Sequence, residues 1–118
     1  MKPYNDLSKA GKLRRLHALA VAALAHYELD TPELVYHAFD TNLLYRVTTR
    51  PGERFMLRLA VPGWRTFEDL RSEAMWLRAL ERDTGVRAPR VMPARSGEHV
   101  VPVSMPGVPD VWHAMLMS

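Results

Sequence analysis

Two alternating stretches joined by a Pro-Gly turn lie at residues 43–61, which read LLYRVTTRPGERFMLRLAV. In the first stretch, Leu43–Arg50, every second side chain lies on the same side, as expected of a half-buried strand. Pro51 and Gly52 favour a turn, because proline fixes its own φ and glycine tolerates the positive φ that follows. Residues Arg54–Val61 then alternate again. The stretch therefore predicts a β-hairpin, and the remaining elements can be placed around it.

A helical pattern precedes the hairpin. Apolar side chains recur there at steps of three and four residues, as in a helix with one buried face; they are Leu13, Leu16, Ala20, Ala23, Leu24 and Tyr27. Basic residues before the short apolar run 16–25 also resemble a secretion signal, but the buried stripe favours a packed amphipathic helix. The run of ten residues is too short to cross a bilayer, so we expect no membrane contact. Leu34–Phe39 follows as a strand candidate.

A second helix and two further strands follow the hairpin. Thr66 favours a helix start, with Asp69 as its partner in a capping box, and Gly85 favours the helix end. Between them one stripe carries Leu70, Ala74 and Leu77. Further along the chain we expect a polar turn at 95–98, a strand at His99–Ser104, a loop at Pro106–Pro109 and a final strand at Trp112–Met117.

The order helix, three strands, helix, two strands predicts an α+β fold. Strands joined by short turns pair antiparallel, so we expect a sheet of about five strands with helices covering one face. One helix lies between the third and fourth strands, and the other is an extra N-terminal helix. The 118 residues are expected to form a single domain, 1–118, because a chain of this size buries one core.

Composition and missing motifs exclude several functions. The chain has no cysteine, which excludes disulfides, thiolate catalysis and cysteine-ligated zinc, and which fits a cytoplasmic protein. Its five histidines are scattered without the spacing of metal ligands, so no metal site is expected. The net charge is +3, but the arginines alternate with acidic residues, which indicates a solvated surface rather than a nucleic-acid-binding face. We interpret the Trp and Met side chains as core fillers.

One pair of charged residues, Arg58 and Glu73, stands out. Leu57 and Leu59 share one face of their strand, which places Arg58 on the other face. Glu73 lies on the inner stripe of the second helix, three residues after Leu70, where a carboxylate is costly unless it is paired. A helix carboxylate that holds a strand cation towards nucleotide phosphates is one interpretation. A structural ion pair and two exposed charges are the alternatives.

Four short motifs occur in order along the chain. They are Asn42-Leu43-Leu44-Tyr45-Arg46-Val47, Phe55-Met56-Leu57-Arg58-Leu59, Pro62-Gly63-Trp64-Arg65-Thr66 and Ser72-Glu73-Ala74-Met75-Trp76-Leu77. With these motifs the chain resembles the amino-terminal lobe of the aminoglycoside phosphotransferase and choline kinase-like family, which comprises small-molecule kinases with a protein-kinase-like fold. The resemblance covers nearly the whole chain. Its specificity lies in the order of the motifs, since each one alone is weak.

The resemblance implies roles for individual residues. The loop His37–Asn42 matches the loop that covers the nucleotide phosphates, Arg58 matches the strand lysine that contacts them, and Glu73 matches the helix glutamate that pairs with this lysine. The implied cofactor-binding residues are Arg58, Glu73 and Asn42, and the implied cofactors of a complete enzyme are ATP or GTP with Mg2+. Two departures from the family pattern matter. The loop has no glycine for close backbone approach, and arginine differs from lysine in shape and in the spread of its charge.

The resemblance also implies a second lobe. In the family the final strand leads to the hinge that holds the adenine, and a helical carboxy-terminal lobe carries the H-x-D-x-x-x-x-N catalytic loop and the magnesium-binding aspartate. The 118 residues contain no such motif, so we expect no catalytic residue in this chain and no activity from it alone. The expected partners are a nucleotide and, through an exposed apolar face, a carboxy-terminal lobe or a second copy of the chain. The alternative function is a non-catalytic interaction module that keeps the fold of the lobe.

Overall fold

The computed structural model describes residues 2–63, 66–85 and 89–118. Trp64 and Arg65, which belong to one of the four motifs, lie outside the described residues. A short 3-10 turn at Tyr4–Asp6 precedes the main elements. These are α1 (Lys9–Leu24), β1 (Glu33–Phe39), β2 (Asn42–Thr48), β3 (Arg54–Ala60), α2 (Phe67–Thr84), β4 (Val91–Met92), β5 (Val101–Met105) and β6 (Val108–Met117).

All strand pairs of the sheet are antiparallel. The strands follow the order β1-β2-β3-β6-β4, and β5 pairs with β6. The predicted α+β class, with α2 between the third and fourth strands, is confirmed. The sheet has six strands where about five were predicted. The additional strand is the two-residue β4, which is too short to give an alternating pattern.

The last hairpin is longer than predicted. β6 begins at Val108, so the predicted loop Pro106–Pro109 and the predicted strand start at Trp112 are wrong. The turn itself contains Gly107, whose φ of 84° is in the left-handed region that favours glycine. Asp110 interrupts the regular backbone with a φ of 68°. Residues 106–110, Pro-Gly-Val-Pro-Asp, have the composition of a loop. Pairing with β5 nevertheless makes residues 108–110 part of a strand.

The two helices lie on opposite faces of the sheet. α1 packs on the face that carries Leu57 and Leu59, whereas α2 packs on the face that carries Ala60 and Met115. The expectation that the helices cover one face is therefore wrong. In β3, Leu57 and Leu59 are buried on one side while Ala60 is buried on the other. A strand with apolar residues on both faces needs cover on both.

α1 is a packed amphipathic helix, as its periodicity predicted. The side chain of Ser8 caps its start by accepting a hydrogen bond from the Gly11 N–H at 3.1 Å. The opposite side of the helix from the core includes Val21, which is 51% exposed. The inner face contributes a large part of the main core cluster, with Leu16, Leu19, Ala20, Ala23 and Leu24 and, just beyond the helix, Tyr27.

Both ends of α2 lie where the sequence predicted them. Thr66 Oγ1 accepts a hydrogen bond from the Asp69 N–H at 3.0 Å, and Asp69 Oδ2 accepts one from the Thr66 N–H at 3.1 Å, which completes a capping box. Gly85 ends the helix with a φ of 70°, a conformation that glycine adopts without strain. Two residues of α2 are buried against the sheet, Leu70 and Ala74.

Replacing Leu19 by alanine tests the contribution of α1 to the core. Leu19 has 0% exposed surface, and truncating such a leucine costs about 3 kcal/mol through lost burial and the cavity that remains. We expect the free energy of unfolding in urea to fall by about this amount. Val21→Ala, at an exposed position of the same helix, is the control and should change it by less than about 1 kcal/mol. Equal effects of the two substitutions would contradict the packing of α1.

Candidate functional site

Arg58 and Glu73 form a bidentate ion pair between β3 and α2. Arg58 Nη2 lies 2.5 Å from Glu73 Oε2, and Arg58 Nη1 donates a hydrogen bond to Glu73 Oε1 at 3.3 Å. The exposed fractions of the two side chains are 13% for the arginine and 27% for the glutamate. Two parallel hydrogen bonds fix the plane of the guanidinium as well as its position. The interpretation as two separate exposed charges is therefore wrong.

The backbone explains why these two side chains meet. Arg58 lies opposite Leu44 of β2 and Met115 of β6, so its side chain leaves the sheet on the face that α2 covers. Glu73 lies three residues after the buried Leu70, and positions three residues apart are neighbours on a helix surface. The strand register thus determines the position of Arg58, and the position of Glu73 on the helix surface relative to Leu70 brings its carboxylate to the arginine.

Arg58 has one further contact and a buried N–H donor without a partner. Its Nη2 lies 3.1 Å from the Sδ of Met115, which is a weak acceptor. Its Nε–H is buried and has no hydrogen-bond partner among the described residues. A buried donor without a partner costs roughly 1–3 kcal/mol. An acceptor supplied by a ligand would therefore stabilise this side chain.

A strip of partly exposed apolar side chains lies beside Arg58 on the same face of the sheet. Cross-strand partners share a face, and the pairs Leu44–Arg58 and Met56–Met117 are neighbouring rows of that face. Leu44, Met56 and Met117 are half-buried, and Val35 at the edge of the same face is 45% exposed. The exposed Arg46 lies opposite both Val35 and Met56 on this face and separates Val35 from the other three side chains. The apolar strip is therefore defined by Leu44, Met56 and Met117, beside the fixed cation of Arg58.

The predicted phosphate loop is shorter than expected. β1 continues to Phe39 and β2 begins at Asn42, so only residues 40 and 41 connect the two strands. The predicted bounds His37–Asn42 are therefore wrong. The reason is backbone pairing with β2, which takes Ala38 and Phe39 into the sheet opposite Leu44 and Leu43.

Asn42 lies one residue pair along the sheet from Arg58. Asn42 is opposite Ala60, and Leu44 is opposite Arg58, so these positions share the face that α2 covers. Asn42 is half-buried, and its carbonyl accepts a hydrogen bond from the Asp40 N–H at 3.0 Å. Within the described part of the chain it makes no hydrogen bond to Arg58. The structure thus brings Arg58 and Glu73 into contact and leaves Asn42 apart from them.

Two large apolar side chains of α2 are exposed to solvent. Met75 is 66% exposed and Trp76 is 61% exposed, so the interpretation of the Trp and Met residues as core fillers is wrong at these positions. Met115 and Trp112, at 1% and 4%, are core residues as predicted. The difference follows from helix geometry, because Met75 and Trp76 lie away from the stripe that faces the sheet.

Two half-buried histidines titrate below their usual range. Burial lowers the pKa of His113, whose ring centroid lies 5.2 Å from that of Phe67. Burial and, second, the charge of Arg78 lower the pKa of His99. Each histidine binds a proton less readily in the folded than in the unfolded chain, so protonation at pH values below about 6.5 favours unfolding. Both side chains are therefore neutral near pH 7.

Neither a metal cluster nor a membrane-spanning helix occurs in residues 2–63, 66–85 and 89–118. No group of three His, Asp or Glu side chains in these ranges could hold a metal ion. Their helices are also too short or too polar to cross a bilayer.

Comparisons with known proteins give matches among solved structures. No protein-family model matches the sequence, and no curated protein is similar to it at a significant level. A microcompartment-associated aminopropanol kinase matches 86% of this chain with a TM-score of 0.75 and 29% sequence identity. An amicoumacin kinase in complex with AMP-PNP, Ca2+ and Ami matches 94% of this chain with a TM-score of 0.72 and 18% identity.

This chain has the fold of a kinase amino-terminal lobe. The resemblance to that lobe in the aminoglycoside phosphotransferase and choline kinase-like family is thereby confirmed. The lobe spans about a third of the length of the two solved kinases, 30% of one and 33% of the other. Within it, Arg58 lies on the third strand and Glu73 on the helix that follows, in contact as the resemblance implied.

Replacing Glu73 by glutamine tests what the ion pair contributes to stability. The change leaves Arg58 largely buried without its counter-charge, which costs about 1–3 kcal/mol for a pair that is partly accessible to water. We expect a loss of this size in the free energy of unfolding, measured in urea. Glu81→Gln is the control, because Glu81 pairs with Arg90, whose side chain is 71% exposed. Loss of the Glu81–Arg90 pair in Glu81→Gln should lower the free energy of unfolding by less than about 1 kcal/mol.

The double variant Arg58→Met/Glu73→Gln separates charge from packing. It leaves no unpaired charge between β3 and α2, so it should regain most of the stability lost in Glu73→Gln. A double variant that is no more stable than Glu73→Gln would show that the uncompensated arginine is not the cause of the loss.

Proposed function

We propose that this chain is the nucleotide-binding lobe of an ATP- or GTP-dependent phosphotransferase that acts on a small hydroxyl-bearing substrate in the cytoplasm. The observation that carries the proposal is the bidentate Arg58–Glu73 pair between β3 and α2 of a kinase-like lobe. A purely structural ion pair accounts for the same two hydrogen bonds. It does not account for the unused Nε–H donor of Arg58 or for the apolar strip beside it.

Arg58 would contact the phosphates of a bound nucleotide. Glu73 holds the guanidinium by its two Nη atoms, which leaves the Nε edge for another acceptor. That edge is buried, so a phosphate oxygen reaches it only when neighbouring side chains give way. Met115, which touches the guanidinium, is a flexible side chain and can move in this way. Charge-assisted hydrogen bonds from arginine to phosphate are among the stronger polar contacts in proteins.

The apolar strip would hold the base of the nucleotide. Its members Leu44, Met56 and Met117 lie on the same face of the sheet as Arg58 and have surface left to cover. The faces of adenine and guanine are flat and weakly polar, and ligand sites are lined mainly by apolar side chains with a few polar groups that fix orientation. The strip suits both bases, so it supports a nucleotide without selecting ATP or GTP.

The remaining parts of the reaction would come from a second lobe. Phosphoryl transfer forms a bond from the substrate hydroxyl oxygen to the terminal phosphorus, while the bond from that phosphorus to the bridging oxygen breaks and the hydroxyl proton passes to a base. Bound Mg2+ neutralises charge on the phosphates. We propose that the base and the Mg2+ ligands belong to a carboxy-terminal lobe and that the 118 residues alone transfer no phosphate.

A non-catalytic interaction module is the second candidate function. The observation in its favour is the exposure of Met75 and Trp76, large apolar side chains of the kind that contribute most to association surfaces. Such a module would bind a carboxy-terminal lobe or a second copy of this chain, and it would not require a phosphate at Arg58. The two candidates differ in whether the chain binds a nucleotide.

Isothermal titration of the chain with AMP-PNP and Mg2+ tests the first candidate. We expect the wild-type chain to bind, and Arg58→Ala to weaken binding by about tenfold or more, because it removes a charge-assisted hydrogen bond. Arg54→Ala is the matched control, since Arg54 lies on the same strand and face but is exposed. The affinity of Arg54→Ala for AMP-PNP should differ from that of the wild-type chain by less than about twofold.

The outcome of this titration separates the two functions. Circular dichroism first establishes that each variant is folded. Equal losses in Arg58→Ala and Arg54→Ala would contradict a specific role for Arg58. No binding of AMP-PNP by the folded wild-type chain would contradict the nucleotide-binding proposal and favour the interaction module.

A further inference from the structure

A cavity lies beside α2, away from Arg58. It has a volume of about 520 Å3 and opens between α2 and residues 97–100, which lead into β5. Cavities of roughly 300–1,000 Å3 accommodate small organic molecules. We name this cavity the α2–β5 groove. Its lining includes the side chains of Phe67, Arg71, Met75, Arg78, Glu98 and His99.

Three side chains with N–H donors converge on the α2–β5 groove. Arg71 and Arg78 line it from the helix, and His99 lines it from the facing segment. Within the described residues, Arg71 forms an ion pair only with Glu68, at 3.9 Å between largely exposed side chains, and such a pair is weak. Arg78 forms no ion pair with any described residue. Arg78 and His99 line the same cavity, and the charge of Arg78 adds to the effect of burial in lowering the pKa of His99.

Apolar surface accompanies these donors. Phe67 forms one wall, and the guanidinium carbon of Arg71 lies 5.6 Å from the centroid of its ring, within the range of a cation–π interaction. Met75 is 66% exposed and adds a flexible side chain to the lining. The groove therefore combines a flat apolar wall with positive charge. An occupant that is apolar and carries one negative group would use both features.

The groove and the Arg58–Glu73 pair lie on different flanks of α2. At about 100° of rotation per residue, Arg71 and Met75 each lie roughly half a turn around the helix from Glu73. Arg78 lies near these two and also away from Glu73. A ligand in the groove would therefore leave the surface around Arg58 accessible, and both sites could be filled at once.

We propose that the α2–β5 groove binds a small organic anion with an aromatic body and one carboxylate. The carboxylate lies between Arg71 and Arg78, with an N–H of His99 as a further donor, and the ring lies against Phe67 and Met75. The two arginines outweigh the one acidic lining residue, Glu98, which is exposed. Neither Arg58 nor Glu73 lines this groove, so the proposal does not depend on nucleotide binding at Arg58.

Titration with 4-(trifluoromethyl)benzoate, followed by 19F NMR, tests the groove. A probe of this size should bind the wild-type chain with a Kd on the order of 1 mM. Arg78→Gln should weaken binding by about fivefold or more, because it removes a charge-assisted hydrogen bond. The neutral 4-(trifluoromethyl)benzamide has the same ring and should also bind about fivefold more weakly or worse.

Arg82→Gln is the matched control variant. Arg82 is an exposed arginine of the same helix, pairs with Asp83 at 2.9 Å and does not line the groove, so its loss should change the Kd by less than about twofold. Excess AMP-PNP should not displace the benzoate. The proposal is overturned if acid and amide bind equally, if both variants lose the same affinity, if AMP-PNP displaces the probe, or if the folded wild-type chain does not bind at about 10 mM.

Discussion

A charge that needs a partner organises this lobe. Arg58 is only 13% exposed, and a charge buried to this extent is strongly destabilising unless a counter-charge lies beside it. Glu73 provides that charge because α2 packs on this face of the sheet with Leu70 and Ala74 buried, which orients Glu73 towards Arg58. β6 must also lie next to β3, since Met115 packs against the guanidinium. One interaction therefore links the two central strands of the sheet to the helix.

α2 is the element on which the proposed functions of the lobe converge. Towards the sheet it buries Leu70 and Ala74, which fix its position. Beside this stripe it presents Glu73 to Arg58, and on the other flank it forms one wall of the α2–β5 groove. Trp76 remains exposed. A helix of 18 residues can serve several surfaces in this way because successive side chains point in different directions around its axis.

Local signals in the sequence predicted the features that depend on near neighbours. The Pro51-Gly52 turn and the caps of α2 are decided within a few residues, so both were predictable. The start of β6 at Val108 was not, because its pairing with β5 overrides a loop-like sequence. In the site, the contact between Arg58 and Glu73 was predictable, because a carboxylate on a buried helix stripe is destabilising unless a cation lies beside it. Met115 is 57 residues from Arg58, and no local pattern indicates their contact.

The Arg58 Nε–Hε signal in 1H–15N NMR spectra tests the central proposal, which is that Glu73 holds Arg58 where a nucleotide phosphate would bind. The Nε–H is buried without a hydrogen-bond partner among the described residues, and the two Nη hydrogen bonds to Glu73 fix the plane of the guanidinium. Because burial limits exchange with water, we expect a resolved Nε–Hε signal in the wild-type chain and its broadening in Glu73→Gln. AMP-PNP with Mg2+ should shift this signal, whereas adenosine, which lacks phosphates, should leave it in place. A signal that stays unchanged at saturating AMP-PNP, or that shifts equally with adenosine, would contradict the account.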